Sequence, residues 1–227
     1  MDKELKGRTR LNGICPYFTM FPLDFPYSIL KERASSGDWV ADPFCGRGTT
    51  NYASRVLGLP SIGIDSNPVA VAVSEAKLAN TSPKAIIRSA QRILDSIEEP
   101  NEIPTGEFWE WAFHKDVLHM LCGLREALQR DCRSQSRKAL RAILLGALHG
   151  PRPKSRPSYF SNQSPRTYAP KPGYAVNFWK SRNLKPEPVD VLEIIRIRAE
   201  RYYSEETTRA IGKIIIKFSM LCLRIAF

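Results

Sequence analysis

Residues 42–50 read DPFCGRGTT and follow the short apolar run GDWVA. The run predicts a β-strand that ends at Asp42, and the TTNYASRVLGL stretch predicts a helix that opens at Thr49. Gly46 and Gly48 let the intervening turn take φ values that other residues avoid and let its backbone approach a ligand. A G-x-G turn alone is equally compatible with a tight strand-to-helix connection that binds nothing.

The same alternation continues downstream of this turn. PSIGIDSN predicts a second strand that ends at Asp65, and PVAVAVSEAKLAN predicts a second helix with Pro68 in its first turn. Strand, glycine turn, helix, strand and helix are the first half of a doubly wound α/β sheet. We therefore expect an α/β fold with a Rossmann-like sheet.

The remaining sequence divides the chain into four segments. Residues 1–80 hold an amino-terminal arm and the βαβα unit. Residues 81–150 show apolar residues at helical spacing and predict a long helical insertion. Residues 151–190 are basic, aromatic and rich in proline, which predicts an irregular loop. Residues 191–227 predict a helix over VDVLEIIRIRAERYY and a strand over KIIIKF, after which the sheet is expected to be truncated.

The residues around the turn indicate the kind of ligand. Asn51 stands where a dinucleotide fingerprint has its third glycine, and no G-K-[ST] phosphate loop is present. Asp42 instead suits a positive amino group. Asp65, seventeen residues past Gly48, is placed to accept hydrogen bonds from two ribose hydroxyls. The implied ligand has an ammonium group at one end and an adenosine at the other, and S-adenosylmethionine fits that description.

These stretches resemble the motifs of a known family. DPFCGRGTT followed by GIDSNPVAV resembles the first two motifs of DNA amino-methyltransferases, which modify the exocyclic amine of cytosine or adenine. PYFTMFPLDFP, upstream, resembles their tenth motif. FWEWAFH through RAILLGALHGP, SYFSNQSPRTYAPKPGYAVNFW and RAERYY further resemble a subgroup of site-specific bacterial and phage enzymes with a helical insert. The resemblance implies an incomplete class I methyltransferase sheet.

By that resemblance Asp42 holds the methionine ammonium, Asp65 binds the ribose, and the tenth-motif aromatics close the pocket. For Phe21, plain core packing is the alternative. Cys45 is expected to be a small turn residue rather than a nucleophile, because no base stands near it. The cofactor-binding residues expected are Tyr17, Phe18, Phe21, Pro22, Asp42, Pro43, Phe44, Gly46, Gly48, Thr49, Thr50, Asp65, Asn67 and Pro68.

The catalytic motif of the family, [DNS]-P-P-[YFW], is not found in the sequence. The nearest string, SPRTY at residues 164–168, has Arg166 in place of the second proline and one residue too many before the aromatic. The catalytic residues are therefore unknown. We expect the string to belong to a basic loop that contacts DNA phosphates or shapes the cofactor site. The DNA-binding residues expected are Arg152, Lys154, Arg156, Arg166 and Lys171.

Composition bears on partners and location. Lys and Arg number 34 against 23 acids, a net charge of +11, which favours a polyanionic partner such as double-stranded DNA. The five cysteines show no metal-ligand spacing, so no metal site is expected. The polar start and the charge-interrupted apolar tail IGKIIIKFSMLCLRIAF predict a cytoplasmic protein without a membrane span.

Three functions follow from these observations. The first is a site-specific DNA methyltransferase, or its cofactor-binding portion, in which a second polypeptide could supply the catalytic motif. The second is an inactive remnant that still binds nucleic acid or cofactor. The third is an RNA or small-molecule methyltransferase that uses the same pocket.

Overall fold

The computed structural model describes residue 5 and residues 8–15, 20–150, 158–162, 171–205 and 208–216. A 3-10 turn at Arg10–Gly13 precedes the regular elements. The helices are α1 (Asp24–Arg33), α2 (Thr49–Val56), α3 (Pro68–Lys77), α4 (Pro83–Leu94), α5 (Glu107–Ala112), α6 (Lys115–Arg130), α7 (Gln135–Ala147), α8 (Pro172–Ser181) and α9 (Val191–Tyr203). The strands are β1 (Val40–Asp42), β2 (Ser61–Asp65) and β3 (Gly212–Ile216).

The helices begin where the local sequence offers caps. The Asn67 side chain accepts hydrogen bonds from the first amides of α3, and Pro68 occupies the first turn, where a missing N–H costs nothing. Ser82 and Pro83 start α4 in the same way. Asp190 caps α9 through the Glu193 amide.

The three strands form a parallel sheet in the order β1-β2-β3. Helix α2 packs on β1 and β2, helix α3 packs on β2 and β3, and the two helices contact each other. Both helices therefore lie on the same face. The α/β class and the predicted third strand over KIIIKF are confirmed, because β3 pairs with β2 from Ser61↔Gly212 to Asp65↔Ile216.

The helical insertion forms a second layer outside α3. Helix α7 packs on α3, and α4 packs on α6, α7 and α9. One continuous cluster of buried apolar side chains runs from Leu5 to Tyr203 and includes Trp179, Leu121 and Leu140. The four sequence segments thus share a core. In the described ranges no helix is long and apolar enough to cross a bilayer.

The prediction of an irregular loop over residues 151–190 is wrong for the ten residues of α8. Pro172 occupies the first turn of that helix, where proline is tolerated, so it starts a helix instead of interrupting one. Ala175, Val176 and Trp179 then bury one face of α8 in the core. Residues 151–157 and 163–170 lie outside the described part of the chain.

Candidate functional site

The carboxyl ends of β1 and β2 place two aspartates at the same edge of the sheet. Asp42 is the last residue of β1, and Asp65 is the last residue of β2. In parallel strands such ends lie together, and ligands of open α/β sheets bind there. The glycine turn, residues 43–48, crosses this edge between β1 and α2.

The turn has the backbone conformation that its glycines predict. Gly46 has φ 50° and Gly48 has φ 67°, both in the left-handed region. The turn is tied to the second strand, since the Cys45 amide donates to the Ile64 carbonyl oxygen at 3.0 Å. Thr49 and Thr50 then open α2, as predicted.

The two glycines are needed for different reasons. A Cβ on Gly48 would lie 2.7 Å from Ser74 Oγ and 3.1 Å from Ser74 Cα, so this glycine permits close packing of the turn on α3. A Cβ on Gly46 would have its nearest neighbour, the Phe44 carbonyl oxygen, at 4.0 Å. The space beside Gly46 is therefore open, as a ligand cradle requires.

Asp65 organises the turn as well as ending its strand. Its Oδ2 accepts from the Gly46 amide at 2.8 Å, and its Oδ1 accepts from the Asn67 amide at 2.8 Å. A carboxylate has about four lone-pair positions, so both oxygens keep acceptor capacity. Among the described residues, Asp42 has one side-chain hydrogen bond, a local one from the Phe44 amide to Oδ1 at 3.1 Å.

Cys45 lies buried between the two aspartates. Burial, with Asp65 and Asp42 adding to it, raises the pKa of its thiol to about 11. Its Sγ lies 3.9 Å from Ser74 Oγ. The thiol stays protonated at neutral pH, in agreement with the prediction that Cys45 is a turn residue and not a nucleophile.

Two of the aromatic side chains predicted to contact the cofactor are exposed. Phe44 is 87% exposed and Phe21 is 53% exposed. Phe21 makes an edge contact with Phe25 at 5.9 Å between ring centroids. The alternative of plain core packing for Phe21 is therefore wrong. Pro22 and Pro43 are also exposed.

Several predicted residues cannot be placed. Tyr17 and Phe18 lie outside the described residues, as do Arg152, Lys154, Arg156 and Arg166. Lys171 is described and exposed, directly before α8. The catalytic candidates Ser164 and Tyr168 also lie outside.

Sequence reasoning missed a buried lysine close to the turn. Lys77 is fully buried, and its Nζ donates to Asn12 Oδ1 at 2.7 Å and lies 3.8 Å from Met20 Sδ. The pKa of its ammonium is far below the ordinary value because burial removes hydration, and the nearby Arg47 charge lowers it further. Lys77 follows Val73 by four residues on α3, so its place on the apolar face was a readable signal.

Fold and edge geometry define an α/β protein with a candidate ligand site at a glycine turn. A DNA methylase family model matches residues 2–76. That match covers the amino-terminal third of the chain, which includes both aspartates and the glycine turn. No solved structure gives a significant match.

Three curated relatives are similar over the same short extent. The chain is 39% identical over 74 residues to type II methyltransferase M.MjaII of Methanocaldococcus jannaschii, which covers 32% of this chain and 14% of the relative. It is 30% identical over 84 residues to M.MthZI of Methanothermobacter thermautotrophicus, covering 36% and 24%. It is 46% identical over 58 residues to M.BsoBI of Geobacillus stearothermophilus, covering 25% and 11%. The match thus spans a quarter or less of each relative.

Proposed function

We propose that the edge formed by β1 and β2 binds S-adenosylmethionine. On this proposal the chain is the cofactor-binding part of an enzyme that methylates an exocyclic amine of cytosine or adenine in double-stranded DNA. The observation that supports it best is the pair of aspartates at neighbouring parallel strand ends, joined by a left-handed glycine turn that hydrogen-bonds to Asp65. The sheet is then one half of a Rossmann-like fold, in agreement with the order β1-β2-β3.

The residues present fit this cofactor. The open space beside Gly46 would take the methionine moiety against bare backbone. Asp42, half-exposed and with one local hydrogen bond, would hold the ammonium group. Asp65 would accept the ribose hydroxyls, with Asn67 and Pro68 beside the adenine. Phe44 and Pro43 would lie at the rim, with Phe21, Pro22, Tyr17 and Phe18 over the methionine.

The chemistry divides between holding the donor and activating the acceptor. When bound, the cofactor supplies an electrophilic sulfonium methyl group. The residues of this chain orient that group and exclude water from it. They do not restore the lone pair of the target amine, which is delocalised into the base and needs positioned acceptors. A second polypeptide that carries [DNS]-P-P-[YFW] would supply those acceptors and a stacking surface for the flipped base.

An inactive remnant is the second candidate function, and the missing catalytic motif favours it. Such a remnant could still bind cofactor, so binding alone does not separate the two. Methyl incorporation in the presence of a chain with the motif does.

Calorimetric titration of S-adenosylmethionine tests the cofactor site. Replacing Asp65 by alanine removes charge-assisted hydrogen bonds and should weaken binding roughly 10- to 150-fold. Because this carboxylate also holds the turn, Asp65→Asn, which keeps the shape, is a second variant with an expected loss of about tenfold. Asp38, which accepts from the Ser35 amide at 2.8 Å in an exposed turn, is the matched control. Unchanged affinity in a folded Asp65→Ala protein rejects the ribose role.

A further inference from the structure

The exposed side of α4 carries a row of three cations. Lys84, Arg88 and Arg92 follow one another at intervals of four residues and are all exposed. Residues four apart lie above one another on a helix, about 6 Å apart along the axis. We call these three residues the α4 stripe. Like charges in this arrangement destabilise a helix by a few tenths of a kcal/mol per pair.

Several basic residues on α7 and α9, which pack against α4, have acidic partners. On α9, Arg196 pairs with Glu193 at 2.6 Å and with Glu200 at 2.9 Å. On α7, Lys138 and Arg141 both reach Glu75. Within the described ranges, no carboxylate lies within 4.0 Å of the cationic atoms of the α4 stripe.

The stripe borders a shallow groove of about 520 Å³. Its lining residues are Pro83, Lys84, Ile87, Arg88, Gln91, Arg92 and Glu200. Glu200 is the acid in this groove, and its carboxylate is already occupied by Arg196. The groove therefore combines an uncompensated positive row with a half-buried apolar floor at Ile87.

We propose that the α4 stripe binds the sugar–phosphate backbone of duplex DNA without reading its sequence. A regular row of cations on a rigid helix suits a regular row of phosphates, and the chain as a whole carries +11. The choice of DNA among polyanions rests on the proposed function. The α4 stripe comes from residues 84–92 and shares no residue with the basic segment 151–190, so it is a candidate DNA contact in addition to the one predicted from sequence.

The salt dependence of DNA binding tests the stripe. The full chain is titrated with a fluorescent random-sequence duplex between 50 and 200 mM salt, as is the Lys84→Ala/Arg88→Ala/Arg92→Ala variant. Each lost phosphate contact should reduce the log–log slope by about 0.9, so the variant should be flatter by roughly two to three units. The control is Lys115→Ala/Arg130→Ala/Arg209→Ala, which removes the same charge from scattered exposed positions.

Three outcomes overturn the proposal. Equal flattening by both triple variants would show that only net charge matters. An unchanged slope in the stripe variant would place DNA elsewhere, for example on the loop with Arg152, Lys154 and Arg156. Both proteins are also titrated with poly-glutamate. If the stripe variant loses poly-glutamate binding but keeps its DNA binding, the α4 stripe binds an acidic polypeptide and not DNA. Cofactor titration of the same variant keeps the two proposals apart, because the stripe variant should bind S-adenosylmethionine as the unaltered chain does.

Discussion

The two faces of the sheet differ in what lies on them. On one face, α2 and α3 press closely, and a Cβ on Gly63 would lie 2.7 Å from both Asn51 Oδ1 and Ile214 Cδ1. The other face carries the alternate residues of each strand, and the register aligns Ala41 with Ile62 and Ile62 with Lys213 there. That face carries exposed apolar groups: Trp39, one residue before β1, is 61% exposed and Ile215 is 38% exposed. We call these the covered face and the open face.

In the described part of the chain, helices cover the sheet on one face and leave apolar side chains exposed on the other. Parallel sheets are normally covered by helices on both faces. Among the described residues β1 also has no strand partner on its outer edge: its Val40 amide donates to Pro60 on the β2 side, and β2 is its one described neighbour. The quarter or less of each relative that the match spans leaves ample sequence in those proteins for a further layer.

The largest expected effect concerns the open edge and activity. The 227-residue chain alone should transfer no methyl group to DNA above background, even with saturating cofactor. Loss of one positioned acceptor typically costs on the order of 100- to 1000-fold in rate, and loss of the whole motif also removes the stacking surface. A filter assay with tritiated cofactor and mixed genomic DNA measures this, and adding a chain that carries [DNS]-P-P-[YFW] should restore incorporation.

One result would contradict that expectation directly. Robust incorporation by the isolated chain, abolished by Ser164→Ala or Tyr168→Ala, would identify SPRTY as the catalytic loop. The open edge would then need no partner for turnover.

The next largest effect is on the covered face. Gly48→Ala should lower the free energy of unfolding by about 2–4 kcal/mol, because it adds a left-handed backbone strain and a clash with Ser74. Gly37 is the matched control: its φ is +94°, but a Cβ there meets nothing within 4 Å. Gly37→Ala should therefore cost only the backbone strain, about 1 kcal/mol. Urea unfolding measures both, and equal losses would show that the packing on α3 contributes nothing.

Much of the fold could be predicted from local sequence. The glycine turn, both strands that end in aspartate, and the helix starts at Thr49 and Pro68 depend on residues close in the chain, and the structure has them where expected. The prediction of an irregular loop misses α8, because high proline content usually interrupts regular structure. Proline in the first turn of a helix, as at Pro172, instead favours helix formation. Its stability comes from burying Trp179 in a distant core, which local pattern does not reveal.

The position of the candidate site could be predicted from the sequence, but its hydrogen bonds and packing contacts could not. Strand ends and motif resemblance brought Asp42, Asp65 and the glycine turn together, and the geometry agrees. The bond from the Gly46 amide to Asp65 depends on residues 19 apart and on sheet register. The packing of Gly48 on Ser74 and the burial of Lys77 against Asn12 likewise depend on tertiary contacts, which the sequence carries only as helical spacing.

The smallest expected effect compares neighbouring residues of β3 that point to opposite faces. Ile214 points to the covered face, where its Cδ1 approaches Gly63, whereas Ile215 aligns with Ile64 on the open face. Replacing half-buried Ile214 by serine should cost about 1–2 kcal/mol of unfolding free energy, since apolar area is lost on the face where α3 packs on β3. Ile215→Ser should cost less than Ile214→Ser, because the Ile215 side chain is the more exposed of the two, at 38%. Both variants remove the same atoms from the same strand, so β-propensity cancels between them.

Urea unfolding of the isolated chain gives the two values. Equal losses would mean that the open face is covered in solution, and the case for a further layer supplied by a second polypeptide would then fail.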